Sequence, residues 1–201
     1  QTVNKTTPVA GDVKYVDRNG DGVVDDNDRD IIGNPNPDFT YGFQTKVSWK
    51  SLSLSASFNG VQGRDILNVG NRYNNTPGTK SNNVTRKAFQ NMWTDENPSN
   101  LYPKSTFVVQ NMVMDRYVED GSYLRCSDIT LSYVLPAKWT NKIGIKNTSV
   151  YASVKNAFVI TDYSGYDPEV NSFAFDGLRP GVDMNSYPTP RSFVFGLNLT
   201  F

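Results

Sequence analysis

The sequence predicts an all-β chain: antiparallel strands of a transmembrane β-barrel wall, with long loops at one rim. Three observations carry this. Five segments alternate apolar and polar residues with period two, over the ~10 residues that a tilted membrane strand needs. The connections between them alternate short and long, as in barrels with tight turns at one rim and long loops at the other. The mean hydropathy is negative, and no stretch approaches the ~20 apolar residues of a membrane helix.

In the first strand Phe39, Tyr41, Phe43, Thr45, Val47 and Trp49 share one face, opposite Thr40, Gly42, Gln44, Lys46 and Ser48. Only Lys50-Ser51 separates it from the second, where Leu52, Leu54, Ala56 and Phe58 oppose Ser53, Ser55, Ser57 and Asn59, so the two form a tight hairpin. The third runs from Tyr123 to Leu135. Its apolar face is Leu124 and Cys126 at first, then Ile129, Leu131, Tyr133 and Leu135, and this change of parity predicts a bulge near Ser127-Asp128. The fourth, Ser149 to Phe158, sets Val150, Ala152, Val154 and Phe158 against Tyr151, Ser153 and Lys155. Pro136 to Thr148 is the short link before it. The last, from Arg191, puts Phe193, Phe195, Leu197, Leu199 and Phe201 on one face and Ser192, Val194, Gly196, Asn198 and Thr200 on the other.

A strand ending on Phe201 after apolar residues at every second position resembles the insertion signal of bacterial outer-membrane barrels. With Phe201 at the periplasmic rim, Gln1–Asp38, Val61–Ser122 and Thr161–Pro190 lie outside the cell. Trp49, Tyr133, Trp139 and Phe201 then gather at the periplasmic rim, where an aromatic girdle sits. Five strands leave two unpaired edges exposed to lipid, so the chain is expected to be the last part of a larger barrel. It opens at Gln1 with no signal peptide, and a preceding portion is expected. Within the second long loop, Asn83 to Trp93 reads as a short helix capped at Asn83 and ending before Asp95-Glu96-Asn97-Pro98.

Lys+Arg and Asp+Glu balance at 20 each, so no basic field points to nucleic acid. Histidine is absent, which removes His-dependent nucleophilic catalysis and His-rich metal chemistry. The single cysteine, Cys126, reads as a small buried or lipid-facing apolar residue. The acidic residues lie in loops, and pairs such as Asp95-Glu96 have no partner at catalytic spacing, so no enzyme is expected. Trp93, Tyr102, Tyr163 and Tyr166 are loop aromatics that suit stacking on sugar rings or packing of loops against one another.

Asp17-Arg-Asn19-Gly-Asp21-Gly22-Val23-Val24-Asp25-Asp26-Asn27-Asp28 fits the calcium-loop template. Asp17, Asn19 and Asp21 would supply side-chain oxygens, Val23 its carbonyl, Asp25 a direct or water-mediated contact, and Asp28 the twelfth position, where an EF-hand uses Glu. A structural Ca²⁺ is the expected cofactor. The alternative is a solvated turn, since Asn-Gly and Asp-Gly are turn signals by themselves.

Gly11 to Phe43, which contains this acidic loop, resembles the C-terminal region of SusC/RagA-type TonB-dependent outer-membrane transporters of Bacteroidetes. So do Gly121-Ser-Tyr-Leu-Arg-Cys-Ser-Asp-Ile-Thr-Leu-Ser-Tyr-Val-Leu-Pro136, Thr161-Asp-Tyr-Ser-Gly-Tyr-Asp-Pro-Glu-Val170 and Pro190-Arg191 to Phe201. The resemblance spans nearly the whole chain; Cys126 departs from it, standing where an aliphatic residue is expected. It implies that these are the last five strands of a 22-stranded barrel in the outer membrane, in contact with its lipid. It also implies energised import of nutrient oligomers, oligosaccharides or peptides, with a SusD-like surface lipoprotein as lid and the TonB complex acting through a plug domain outside this sequence. Two other classes compete: a non-energised adhesive or passive outer-membrane barrel, and a soluble secreted calcium-binding β-sandwich such as a carbohydrate-binding module.

Overall fold

A computed structural model describes residues 2–3, 7–76, 83–105, 113–140, 145, 147–169 and 171–200. Its framework is one antiparallel sheet of five strands: β1 (Phe39–Trp49), β2 (Leu52–Gln62), β3 (Tyr123–Val134), β4 (Asn147–Thr161) and β5 (Ser192–Thr200). Their spatial order is their chain order, so each strand pairs with its sequence neighbours as in an up-and-down barrel wall. The expected strands are all present. β2 and β4 run further toward the long loops, to Gln62 and Thr161, so the loops are shorter than expected at those ends. Phe201 lies outside the described residues.

Cross-strand register keeps the apolar positions together. Val47 faces Leu54, Leu54 faces Leu131, Leu131 faces Ala152 and Ala152 faces Phe195, a continuous apolar row across all five strands. Phe43 stacks on Phe58 with centroids 4.5 Å apart, and Phe58 meets Phe158 edge-on at 6.3 Å. Cys126 pairs with both Phe58 and Phe158 in the ladder and is fully buried there, on the apolar face as expected. Two aromatic neighbours account for a small side chain at this position. The face itself is bare: Phe195 is 79% exposed, Phe193 66% and Val47 64%. A soluble sandwich would cover such a face with a second sheet, and among the described residues nothing covers it.

The opposite face is polar. Ser48 and Ser53 share a hydrogen bond of 2.8 Å, and Asp128 accepts from Thr130 and Ser153 while pairing with Lys155 at 2.6 Å. Gly196 is needed there, because a Cβ would sit 2.2 Å from the ring of Tyr151, which lies across the opposing strand.

At the short-turn rim, Lys50 takes a φ of 53° to close the hairpin, and its ammonium lies 4.7 Å over the Trp49 ring. The link from β3 to β4 contains a one-turn helix, Ala137–Thr140, that carries exposed Trp139 at the same rim.

The bulge predicted from parity is present at Ser127, and it is part of a larger stagger. The step from polar-face to apolar-face pairs runs Ser57 to Phe58 on β2, Asp128 to Cys126 on β3 and Lys155 to Phe158 on β4, one residue more on each successive strand. Ser127 donates to the Ser57 carbonyl, and Asn156 absorbs the extra length on β4 with φ 51°. β5 begins its pairing at this level, Ser192 opposite Lys155, so β4 rises beyond the reach of its last neighbour.

The long connections converge above that level. Asp65–Asn68 is the centre of a small sheet, antiparallel to Val118–Asp120 and parallel to Val182–Asp183, so the β2–β3 loop joins the β4–β5 loop. The N-terminal stretch docks on it through Asn34, whose carbonyl accepts from the Asp65 backbone and whose N–H donates to the Asp65 carboxylate. Apart from Cys126, the strand-end residues Val61 and Tyr123, and Val24 in the N-terminal stretch, the buried apolar residues (Ile66, Ala88, Tyr117, Tyr163) belong to this loop assembly. The expected helix at Asn83–Trp93 is shorter, Arg86–Asn91, and its cap is Thr85, whose hydroxyl accepts from the Ala88 N–H at 3.2 Å. It stops because Met92 and Trp93 turn extended to pair with Tyr102. A second helix, Val69–Asn75, capped by Asn68, lacks the apolar periodicity that would have announced it.

Candidate functional site

The polar face ends, at the long-loop rim, in a cluster built from two segments far apart in sequence. Arg125 stands on β3 between Asn59 of β2 and Val159 of β4. Onto it folds the turn that follows β4, Tyr163-Ser-Gly-Tyr-Asp-Pro-Glu169. Arg125 donates through Nη2 to Asp167 Oδ1, and its Nε lies 2.9 Å from Glu169 Oε2 as an ion pair without the alignment of a hydrogen bond. Glu169 also accepts from the Tyr123 hydroxyl at 2.5 Å and the Asn59 amide at 3.0 Å. The Asp167 carboxylate accepts from the backbone N–H of Glu169 (2.9 Å) and of Thr189 (3.0 Å). It therefore ties the outgoing and returning arms of the β4–β5 loop to each other and to the wall.

Arg125 is 5% exposed and Asp167 2%. Burial by itself would raise the Asp167 carboxyl, but the backbone N–H groups of Glu169 and Thr189 and the Arg125 charge outweigh it and hold it below the usual range.

A second cluster sits above the first. Glu119 accepts from the amides of Asn68 and Asn71, each at 3.0 Å, and from the hydroxyl and N–H of Ser164, each at 2.9 Å. Tyr163 donates to buried Asp183 at 2.7 Å, and the other Asp183 oxygen accepts from the Ser186 N–H at 3.0 Å. Burial, then the bond to Asp183, pushes the Tyr163 phenol well above its ordinary value. Among the loop aromatics, Tyr163 is thus a packing residue and Tyr166 is an exposed one. Trp93 lies against the Gly11 backbone, where a Cβ would come within 2.5 Å of its ring, and Tyr102 faces the Arg116 guanidinium at 5.9 Å.

The acidic side chains of the Asp17–Asp28 loop are exposed or half-buried and apart from these clusters, and Val24 is the buried residue of the loop. Asp17 accepts from the N–H groups of Gly20 (2.7 Å) and Gly22 (2.8 Å), and Asn19 from Asp21 (2.9 Å). Asp21 accepts from Val23, Asp25 from Asn27, and Asp28 from Arg18 and Asp25. Gly22 takes a φ of 85° at the bend. The N–H bonds hold the Asp28 carboxyl below its ordinary value. The donors are all oxygen, which suits a hard cation. Among the described residues, however, no three acidic or cysteine side chains converge on one point, and the turn is closed by backbone N–H donors.

Among the described residues no helix is long and apolar enough to cross a membrane, which has no bearing on strands. No family model matches the chain. It is 35% identical over 201 residues to the TonB-dependent receptor P26 of Formosa agariphila, covering 96% of this chain and 20% of that one. It is 34% identical over 194 residues to the TonB-dependent receptor SusC of Bacteroides thetaiotaomicron, covering 93% and 17%. The chain thus spans about a fifth of the length of these relatives. Among solved structures it resembles the RagAB peptide importer in its open-open state, with a TM-score of 0.70 and 30% identity over 85% of this chain and 18% of that one. The closed-closed state gives a TM-score of 0.72 at 28% identity. The five-stranded sheet matches part of the barrel of that importer, and the chain belongs to the SusC/RagA-type TonB-dependent receptors.

Proposed function

We propose that this chain is a wall and mouth segment of an energised importer in a Gram-negative outer membrane, with the short-turn rim periplasmic and the loop assembly outside the cell. The cargo is a nutrient oligomer, glycan or peptide; a SusD-like lipoprotein caps the mouth, and TonB drives uptake through parts of the protein beyond this chain. The observation that carries this reading is the asymmetry of the molecule. One face is apolar and bare, the other polar, and the long loops alone are knitted into a packed assembly at one rim. The importer named in the RagAB structures and the receptors at about a third identity support the same reading.

The test is uptake by the host of labelled oligosaccharides and oligopeptides, with and without the gene and with and without TonB. Uptake that persists without TonB would leave a passive or adhesive barrel. Orientation is read separately: Leu178→Cys, 92% exposed in the β4–β5 loop, should be labelled from outside intact cells and Ser51→Cys should not. We further propose that Asp17, Asn19, Asp21, Val23, Asp25 and Asp28 take a Ca²⁺ when it is supplied, the ion drawing their oxygens together. Chelation should then speed proteolysis between Asp12 and Ile32, and Asp21→Ala should mimic it. Identical cleavage with and without calcium would leave a plain turn.

A further inference from the structure

We propose that the Arg125–Asp167–Glu169 cluster is a clamp that holds the β4–β5 loop folded inward over the barrel interior, making this loop a gate and Arg125 its positioning residue. The proposal rests on the barrel reading above, because the polar face must be the interior.

The direction of the fold follows from register. Leu124 and Cys126 pair with the apolar residues Gly60–Ile160 and Phe58–Phe158, so Tyr123 and Arg125, with Asn59 opposite, point to the polar side. All three wall residues that touch the returning turn are on that side. After Thr161 the chain therefore crosses inward over β4 and β3 as far as Asn59 of β2, rather than rising straight into solvent. It returns to the wall at Thr189, whose N–H binds the same carboxylate, and Asn156 receives it by donating to the Pro190 carbonyl at 3.0 Å. The loop is thus pinned at its base on both arms, and its outer part carries exposed Phe175, Leu178 and Tyr187.

The chemistry of the clamp suits position more than cohesion. A buried ion pair recovers little beyond its own desolvation, while loss of one partner strands the other. Apolar contacts would hold a loop with less directional demand. Arg125 reaches two carboxylates at once, Asp167 by a hydrogen bond and Glu169 by charge, from two nitrogens of one planar group that a single ammonium does not reproduce. The turn it addresses has Pro168 buried at its centre and the Arg64 guanidinium on the Pro168 carbonyl.

The test uses the full-length receptor assembled in cells, with Ser55→Cys on the polar face of β2 as a reporter below the clamp. A small maleimide and one carrying a long polyethylene glycol chain are applied from outside, and Cys126, fully buried on the opposite face, sets the background. The small reagent should label the parent and all variants alike. The large reagent should label the parent slowly and Arg125→Met at least about tenfold faster, as a clamp that has lost a buried partner opens. Arg125→Lys should fall between them. Should Arg125→Met fail to assemble, Asp167→Asn, which keeps the shape and loses the charge, serves in its place. Equal labelling by the large reagent in parent and assembled variant would overturn the gate. Failure of the small reagent to reach Ser55→Cys would overturn it too, since the loop would not be what bars the way. Neither outcome depends on uptake, so the importer reading and the gate fail independently.

Discussion

Tyr163→Phe removes one hydroxyl and nothing else, and the structure makes that atom expensive to lose. The ring is 5% exposed, its partner Asp183 is 2% exposed, and their hydrogen bond is 2.7 Å. Without it, one oxygen of a buried carboxylate loses its donor among the described residues, because the Ser186 N–H serves the other. Hydrogen bonds to charged groups are worth about 1.5–3 kcal/mol, so a central loss of about 2 kcal/mol makes local opening about thirtyfold more frequent. The loss should be confined to the loop assembly, where Val182–Asp183 pairs with Leu67-Asn68. Hydrogen exchange in the full-length receptor reads this directly. The Leu67 amide, bonded to the Gly181 carbonyl at 2.8 Å, should exchange faster by that factor, while ladder amides in β2 and β3 stay unchanged. Unaltered exchange at Leu67 would refute the reasoning, and faster exchange in the strands would show that loops and wall are one cooperative unit. The same group sets an alkaline limit. Its folded pKa is raised, so its contribution is fully present below the ordinary tyrosine value of about 10 and is lost as pH climbs above it toward the folded value.

Three further outcomes follow from other parts of the molecule. Phe195→Arg, in the middle of β5 on the bare face, should cost about 2–4 kcal/mol of barrel stability, seen as a lower urea midpoint in detergent or lipid; Asn198→Ser on the polar face should cost far less. Asp167 is depressed, so its contribution to the clamp is present above the ordinary aspartate value of about 3.9 and is lost as pH falls through its lower folded value. Protease protection of the β4–β5 loop should therefore survive at pH 5 and disappear only below about pH 4, with Arg125 and Glu169 as the charged groups facing it. Gly22→Ala meets no neighbour within 4 Å but must hold φ near 85°, so it should loosen the acidic loop by about 1–2 kcal/mol through backbone strain alone, measured as faster cleavage between Asp12 and Ile32.

What the sequence determined by itself was whatever depends on near neighbours. The side chains of a strand alternate with period two whatever surrounds it, so β1 was legible to its last residue, and the parity change between Cys126 and Ile129 announced the bulge at Ser127. The asymmetry of connections and the acidic turn were legible for the same reason, since Asx-type hydrogen bonds reach only a few residues along the chain. Tertiary structure decided the rest. Asp167 and Glu169 read as turn residues, and nothing within several positions of them calls for an arginine; Arg125 is forty-two residues away, brought there by a β-ladder and a bulge. For Tyr163 the sequence left stacking on sugar and packing of loops both open, and the buried bond to Asp183 decides for packing. The helix begins at Thr85 rather than Asn83, with the Thr85 hydroxyl on the Ala88 N–H, and it ends at Asn91 because Met92 and Trp93 are drawn out to Tyr102. The wall was visible because alternation is local, and the mouth was not, because a buried charge finds its partner through the fold and leaves no period in the chain.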